Sequence, residues 1–163
     1  MNADVRAAIE QQVGNEMHAS LTYLSMSGYF ESQNLPGFAS WMRTQSEEET
    51  LHAMKLFDFL VDRGIAPELP AVTKPHHAFD GAVAAFAAAF EHECGVTAQI
   101  HALYEKALEH KDYTAQVLLQ WFITEQLEEE KTTGGILERL KMVEGSRAAL
   151  LILDAELGAR LPE

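Results

Sequence analysis

The most constraining feature of this sequence is a carboxylate and an imidazole on the apolar face of a long amphipathic segment. Apolar side chains recur at steps of three and four from Phe38 to Phe59, which is the period of an α-helix. Glu49 and His52 fall in the middle of that series. They are three residues apart, so they project from one face of the helix, where burial without partners is costly. A metal ion bound by both side chains would remove this cost.

Three other segments repeat the pattern of an apolar helical face with an acid near its midpoint. Each is long enough to cross the length of a bundle at 1.5 Å per residue. A single acid on an apolar face has a simple explanation: the face has been assigned one residue out of phase, and the glutamate in fact points to solvent. Four at similar positions in four helices are harder to explain in that way. The other three acids are Glu16, Glu93 and Glu129.

The composition and spacing predict an all-α fold, a four-helix bundle formed by one domain over residues 1–163. Glycine and proline are sparse, and no alternating strand pattern is present. Residues 64–77 carry three prolines and no helical period, which predicts one long crossover between the second and third helices. The predicted helices span about residues 4–31, 37–63, 80–109 and 112–144, with a short fifth helix over about 147–157.

Polar residues and a glycine mark the expected helix ends. Side chains that accept hydrogen bonds from the first free amides are expected at helix starts, and glycine is expected just after helix ends. The expected caps are Asn2 or Asp4 for the first helix, Asn34 for the second, Asp80 for the third, and Gly64 at the end of the second.

The charge and cysteine content exclude several classes of protein. The formal net charge of −13 argues against binding to nucleic acid and to anionic membrane surfaces. One cysteine allows no internal disulfide, and the first twelve residues lack the apolar core of an export signal. The longest apolar run, residues 82–90, is too short to span a bilayer. We therefore expect a soluble cytoplasmic protein.

The four acids should meet at one level of the bundle core if the helices pack side by side. Gln126 and Glu129 share the spacing of Glu49 and His52, so Gln126 is expected to join them. Acids crowded together without cations would repel each other and take up protons. Two divalent cations would neutralise them. Oxygen ligands with one imidazole suit iron or manganese, and zinc can also bind.

Four stretches of the sequence, residues 15–23, 48–52, 93–100 and 120–131, match a known family pattern. The last reads Gln-Trp-Phe-Ile-Thr-Glu-Gln-Leu-Glu-Glu-Glu-Lys and is highly specific. Through these segments the chain resembles the bacterial non-haem ferritins over nearly its whole length, and the resemblance implies a ferritin-like four-helix bundle with one long crossover and a short fifth helix. The resemblance implies a ferroxidase that oxidises Fe²⁺ with O₂ or peroxide and stores ferric mineral. It also implies a hollow homo-oligomeric shell of twenty-four subunits in which the fifth helix lines a channel.

The same resemblance implies which residues bind iron. One iron site would use Glu16, Glu49 and His52, and the second would use Glu49, Glu93 and Glu129 with Gln126 beside them. Tyr23 and Trp121 match aromatic positions next to this centre. A third iron site nearby would use Glu48, Glu125, Glu128 and Glu129.

The fourth helix departs from the pattern of haem-binding bacterioferritins. Those proteins carry Glu-x-x-His there and a methionine after the bridging glutamate. This chain has Gln126-x-x-Glu129, and Thr50 follows Glu49. We therefore expect no haem. Two alternatives remain: a di-metal carboxylate oxidase that acts on an organic substrate, and a metal buffer that forms no mineral.

Overall fold

The computed structural model describes residues 1–159 and consists of five helices with no strand among those residues. The ends of the helices lie within two residues of the predicted positions, and the all-α bundle fold is confirmed. No helix in the described range is long and apolar enough to cross a membrane. The helices are α1 (Ala3–Ser32), α2 (Pro36–Asp62), α3 (Gly81–Glu109), α4 (Tyr113–Met142) and α5 (Arg147–Gly158).

The segment between α2 and α3 follows α1 for most of its length. Near its start, the backbone amide of Glu68 donates to Glu10 Oε1 at 2.9 Å. Near its end, Ser25 Oγ donates to the carbonyl oxygen of His76 at 2.8 Å. The segment therefore crosses the bundle from one end to the other, and α3 begins near the end of α1. This crossover makes α2 and α3 run parallel, as its length and prolines predicted.

The start of α2 is capped by a distant side chain and not by Asn34. Asn34 has a left-handed φ of 56°, and no side-chain cap comes from the adjacent Leu35. Asp154 of α5 instead accepts hydrogen bonds from the amides of Gly37 at 3.1 Å and Phe38 at 2.8 Å. A Cβ atom on Gly37 would clash with the backbone carbonyl of Asp154, so glycine permits this close contact between α2 and α5.

The other helix ends follow the predictions with one exception. Asn2 accepts from the amide of Asp4 at 2.7 Å, which selects Asn2 as the cap of α1. Gly64 has a φ of 75° immediately after α2, as a C-terminal glycine should. Asp80 precedes α3 but its side chain accepts no capping hydrogen bond, so that prediction was wrong. The amide of Gly81 donates to the Tyr29 hydroxyl at 3.0 Å instead.

The core has two apolar clusters separated by a layer of polar side chains. One cluster packs aromatic rings, with Phe30, Phe38 and Phe86 at centroid separations of 5.3 to 5.6 Å. The other contains aliphatic side chains such as Leu56 and Ile100. The two clusters fix the positions of α1 to α4, and so determine which side chains meet in the layer between them.

Candidate metal centre

The polar layer at the middle of the bundle contains the six residues for which the helical pattern predicted burial. Each helix from α1 to α4 contributes at least one of them. Their exposed fractions range from 0 to 6%. The structure therefore brings together side chains that lie up to 113 residues apart in the chain. The six are Glu16, Glu49, His52, Glu93, Gln126 and Glu129.

Two groups of side chains in this layer are close enough to hold a metal ion. Glu16, Glu49 and His52 each offer a ligand atom, and these atoms lie within 4.8 Å of one another. Glu125 and Glu129 form a second such group with His52. His52 Nδ1 lies 3.3 Å from Glu49 Oε2, and His52 Nε2 lies 4.0 Å from Glu125 Oε1. His52 therefore belongs to both groups.

Two neutral side chains orient the carboxylate of Glu93. The Tyr23 hydroxyl donates a short hydrogen bond to Glu93 Oε1. Gln126 Nε2 donates to Glu93 Oε2 at 3.1 Å. Both oxygens of Glu93 therefore have a donor, which holds the carboxylate in one orientation. Tyr23 is a buried tyrosine bonded to an acid of the layer, and its ring packs edge-on against Trp41.

Two further glutamines hold the layer, and the sequence interpretation did not identify them as site residues. Gln12 Nε2 donates to Glu16 Oε1 at 2.8 Å. Gln45 Nε2 donates to Glu129 Oε2 at 2.8 Å. Gln45 also lies on the apolar face of α2, four residues before Glu49. A buried amide one helical turn before an acid is the signal that would have identified both.

Burial and mutual repulsion keep protons on the acids of this layer. Burial, with the charges of Glu93, Glu16 and Glu129, raises the pKa of Glu49 well above its ordinary value. Burial raises the pKa of Glu93 to about 7 and, with the charge of Glu93, that of Glu129 to about 8. Burial also raises the pKa of Glu16. No lysine or arginine is among the buried residues of the described chain, so these acids have no buried cationic side chain near them.

The imidazole and the phenol of the layer are also held neutral. Burial lowers the pKa of His52 to about 4, and the charge of Lys55 adds a smaller effect in the same direction. Burial, with the charge of Glu93, raises the pKa of Tyr23 well above 10. A neutral imidazole has a lone pair that can bind a metal ion. Glu16 Oε2 is buried and has no hydrogen-bond partner, which suits a further ligand atom. This donor set fits divalent cations.

Three of the four residues expected at a third iron site lie toward the surface, whereas the fourth, Glu129, is buried in the layer. Glu48 is partly exposed, 29% of the Glu125 side chain is exposed, and Glu128 is exposed. Glu125 forms a group with His52 and Glu129, and the charges of Glu48 and Glu125 both help to raise the pKa of Glu129. Trp121 is 37% exposed, and its ring centroid lies 5.4 Å from that of His52. The structure therefore places these residues beside the buried layer on its α2–α4 side.

Comparisons with known proteins show the family to which this chain is similar. The ferritin-like domain family matches residues 6–143. The chain is 37% identical to a bacterial non-heme ferritin of Bacteroides fragilis over 94% of this chain and 95% of that protein. A second bacterial non-heme ferritin, from Staphylococcus aureus, is 31% identical over 98% and 96% of the two chains.

Solved structures give the same result at the level of the fold. An open pore ferritin from the archaeon Archaeoglobus fulgidus superposes with a TM-score of 0.97 and 42% identity over 99% of both chains. An engineered closed form of the Archaeoglobus fulgidus ferritin superposes with a TM-score of 0.98, also at 42% identity. It covers 100% of this chain and 99% of its own. The chain therefore belongs to the ferritin family of iron-storage proteins.

Proposed function

We propose that this protein binds Fe²⁺ in the buried layer, oxidises it there, and stores the product as ferric mineral inside a shell of identical subunits. The observation that carries the proposal is the convergence of four buried carboxyl groups and one imidazole without a buried lysine or arginine. Such a site is unfavourable unless cations occupy it. The similarity to bacterial non-heme ferritins supports iron as the cation.

We assign two binding positions for the substrate iron. The first position is supported by the close approach of the ligand atoms of Glu16, Glu49 and His52. The second is supported by the mutual repulsion among the carboxyl groups of Glu49, Glu93 and Glu129. Glu49 belongs to both sets, and one carboxylate can bridge two cations about 3.5–4 Å apart. Gln126 lies beside the second set and orients Glu93. The sets are Glu16, Glu49 and His52, and Glu49, Glu93 and Glu129.

The protonation of the layer couples iron binding to release of protons. Glu93 and Glu129 bind cations as carboxylates, so an arriving cation displaces the protons that burial keeps on them. Two Fe²⁺ ions give one electron each to O₂, which takes up two protons and leaves as hydrogen peroxide. With peroxide as oxidant, the same two electrons and two protons yield two water molecules. Tyr23 stays protonated and donates to Glu93.

A third iron position would lie between the buried layer and the surface. Glu125 supports it because this side chain is partly exposed and also comes close to His52 and Glu129. Glu48 and Glu128 would complete it with Glu129 from the more exposed side. Oxygen ligands of decreasing burial would guide cations between solvent and the buried centre.

The storage part of the proposal needs a closed assembly. We propose a homo-oligomeric shell of twenty-four subunits in the cytoplasm, with no haem and with α5 lining a channel between subunits. The outer face of α5 supports this role, because Leu151 and Ile152 are 57% and 71% exposed in a single subunit. Large apolar side chains left exposed on one face commonly mark a contact between chains.

Aerobic addition of Fe²⁺ to the apo-protein tests the proposal. Storage predicts fast growth of near-ultraviolet absorbance followed by hundreds of iron atoms per assembly, with size-exclusion chromatography showing a shell. Binding without oxidation would indicate a metal buffer. Oxidation that consumes an organic compound and forms no mineral would indicate a di-metal oxidase. Either of these last two results contradicts the proposal.

A further inference from the structure

The buried layer is enclosed differently on two sides of the bundle. The backbones of α1 and α3 approach closely, and Gln99 of α3 accepts hydrogen bonds from Gln12 and Asn15 of α1. The crossover also lies over α1. The backbones of α2 and α4 stay farther apart, so side chains alone fill the seam between them. The α2–α4 seam, the line between those two helices at the height of His52, is therefore the thinner cover of the layer.

Three side chains surround His52 at the α2–α4 seam. The Trp121 ring lies 5.4 Å from the imidazole, centroid to centroid, at an interplanar angle of 75°. Glu125 Oε1 lies 4.0 Å from His52 Nε2. Lys55, one turn after His52 on α2, places its Nζ atom 4.2 Å from the centroid of the Trp121 ring. A positive charge therefore lies beside His52 and Glu125 at the seam.

We propose that Lys55, held against Trp121, is a cationic gate at the α2–α4 seam that slows the passage of metal cations to and from His52. The proposal rests on the function proposed above for the buried layer. The ammonium group is held over the face of the indole ring, which attracts it by a cation–π interaction. Its charge therefore stays at the seam and acts on every cation that crosses there.

Lys55 Nζ lies over the Trp121 ring, and that ring contacts the imidazole of His52, so the lysine charge lies close to the approach to this ligand. A metal cation that approaches His52 Nε2 through the seam is repelled by this charge, whereas Glu48 and Glu125 attract it. For a divalent cation on the order of 8 Å away in a solvated environment, one lysine charge changes a rate by about three- to tenfold.

The repulsion depends on the charge of the ion, which gives the gate a direction. A trivalent product that leaves through the α2–α4 seam is slowed more than a divalent substrate that enters. A ferric ion is therefore retained in the layer longer than a ferrous ion, as far as this route is concerned. Lys55 is exposed, so its replacement should leave the fold intact.

Stopped-flow binding of Co²⁺ to the apo-protein tests the gate without any oxidation step. We expect Lys55→Gln to bind Co²⁺ about three- to tenfold faster than the unmodified protein and Lys55→Arg to match it. Lys131→Gln removes the same charge from the α3–α4 side, near Phe90, and should leave the rate unchanged. The difference between Lys55→Gln and the unmodified protein should shrink at about 0.5 M salt, because salt screens exposed charges.

Each outcome separates the gate from the metal centre. Loss of the Co²⁺ signal in Glu49→Gln shows that the signal reports the buried layer. Equal or slower binding by Lys55→Gln would overturn the gate and leave the metal centre in place. If the faster Co²⁺ binding of Lys55→Gln persists at high salt, or if Lys55→Arg also binds faster, the effect comes from packing. Either result would also overturn the gate. No Co²⁺ binding by the unmodified protein would overturn both proposals.

Discussion

Carboxylates are buried in two regions of this protein, and they are satisfied in opposite ways. In the polar layer, Glu16, Glu49 and their partners crowd together and retain protons because no buried cation balances them. At the contact between α2 and α5, Asp154 is equally buried but accepts hydrogen bonds from two backbone amides at the positive end of α2. The first arrangement weakens the apo fold and can bind cations, whereas the second holds two helices together.

The largest expected effect follows from neutralising the acid that belongs to both metal positions. Glu49→Gln keeps the shape of the side chain and removes a ligand, so the initial rate of Fe²⁺ oxidation should fall by about 100-fold or more. The apo-protein should become more stable, on the order of 1 kcal/mol, because folding no longer forces a proton onto Glu49. Oxidation kinetics and denaturation of the apo-protein measure the two effects.

Glu47→Gln is the matched control for this change, since Glu47 is an exposed glutamate on the same helix. It should alter neither the oxidation rate nor the stability. A Glu49→Gln protein that is both active and less stable would show that the polar layer is structural, and the contrast with Asp154 would disappear.

Removal of the Asp154 carboxylate should lower the stability of the apo-protein, whereas Glu49→Gln should raise it. Asp154→Ala leaves the amides of Gly37 and Phe38 buried without an acceptor, at a cost of about 2–4 kcal/mol. The thermal midpoint should therefore fall by several degrees. Asp154→Asn retains one acceptor oxygen and should lose less. The oxidation rate per folded subunit should be unchanged in both, and a large loss of that rate would contradict the separation of the two regions.

The pH dependence of apo-protein stability should report the polar layer. A carboxyl group whose pKa is raised on folding is most favourable at low pH, and its contribution is lost as pH rises toward the folded pKa. For Glu93 and Glu129, with pKa values of about 7 and 8, the loss extends to about pH 8. His52, with a folded pKa of about 4, acts in the opposite direction only below about pH 6.5. Stability should therefore fall between pH 6.5 and 8.

Thermal or denaturant unfolding across that pH range measures the decline, whose slope is about 1.4 kcal/mol per pH unit for each full proton taken up on folding. Glu129→Gln should flatten the part between pH 7 and 8. A profile that rises through this range, or a Glu129→Gln profile identical to that of the unmodified protein, would show that these carboxyls are ionised without metal.

The sequence predicted the polar layer because each of α1 to α4 contributes to it through its own periodic pattern. Burial of Glu93 or Glu129 follows from the residues three and four positions away, which the chain displays locally. The orientation of Glu129 by Gln45 and of Glu16 by Gln12 was missed, because the pattern shows that a position is buried but not which group its side chain contacts. The gate residue Lys55 was missed because its partner Trp121 lies on another helix.

The Asp154 contact could not be predicted from any local pattern. Asp154 and Phe38 are 116 residues apart, and neither the period of α5 nor the start of α2 indicates the other. The local rule favoured Asn34 as the cap, and it was wrong because the chain at Asn34 turns into the left-handed region before α2 begins. Long-range packing thus overrode a local preference at one helix end and left the helix assignments intact.

The smallest expected effect separates the Asp154 contact from simple docking of α5. Arg139 of α4 forms two hydrogen bonds with Glu156 of α5, at 2.9 and 2.6 Å, but both side chains are about half exposed. Exposed ion pairs contribute little because water and salt screen them, so Arg139→Gln should shift the thermal midpoint by less than about 1 °C. A shift as large as that of Asp154→Ala would mean that any contact holding α5 matters equally. The burial of Asp154 and its hydrogen bonds to the amides of Gly37 and Phe38 would then not distinguish it from an exposed ion pair.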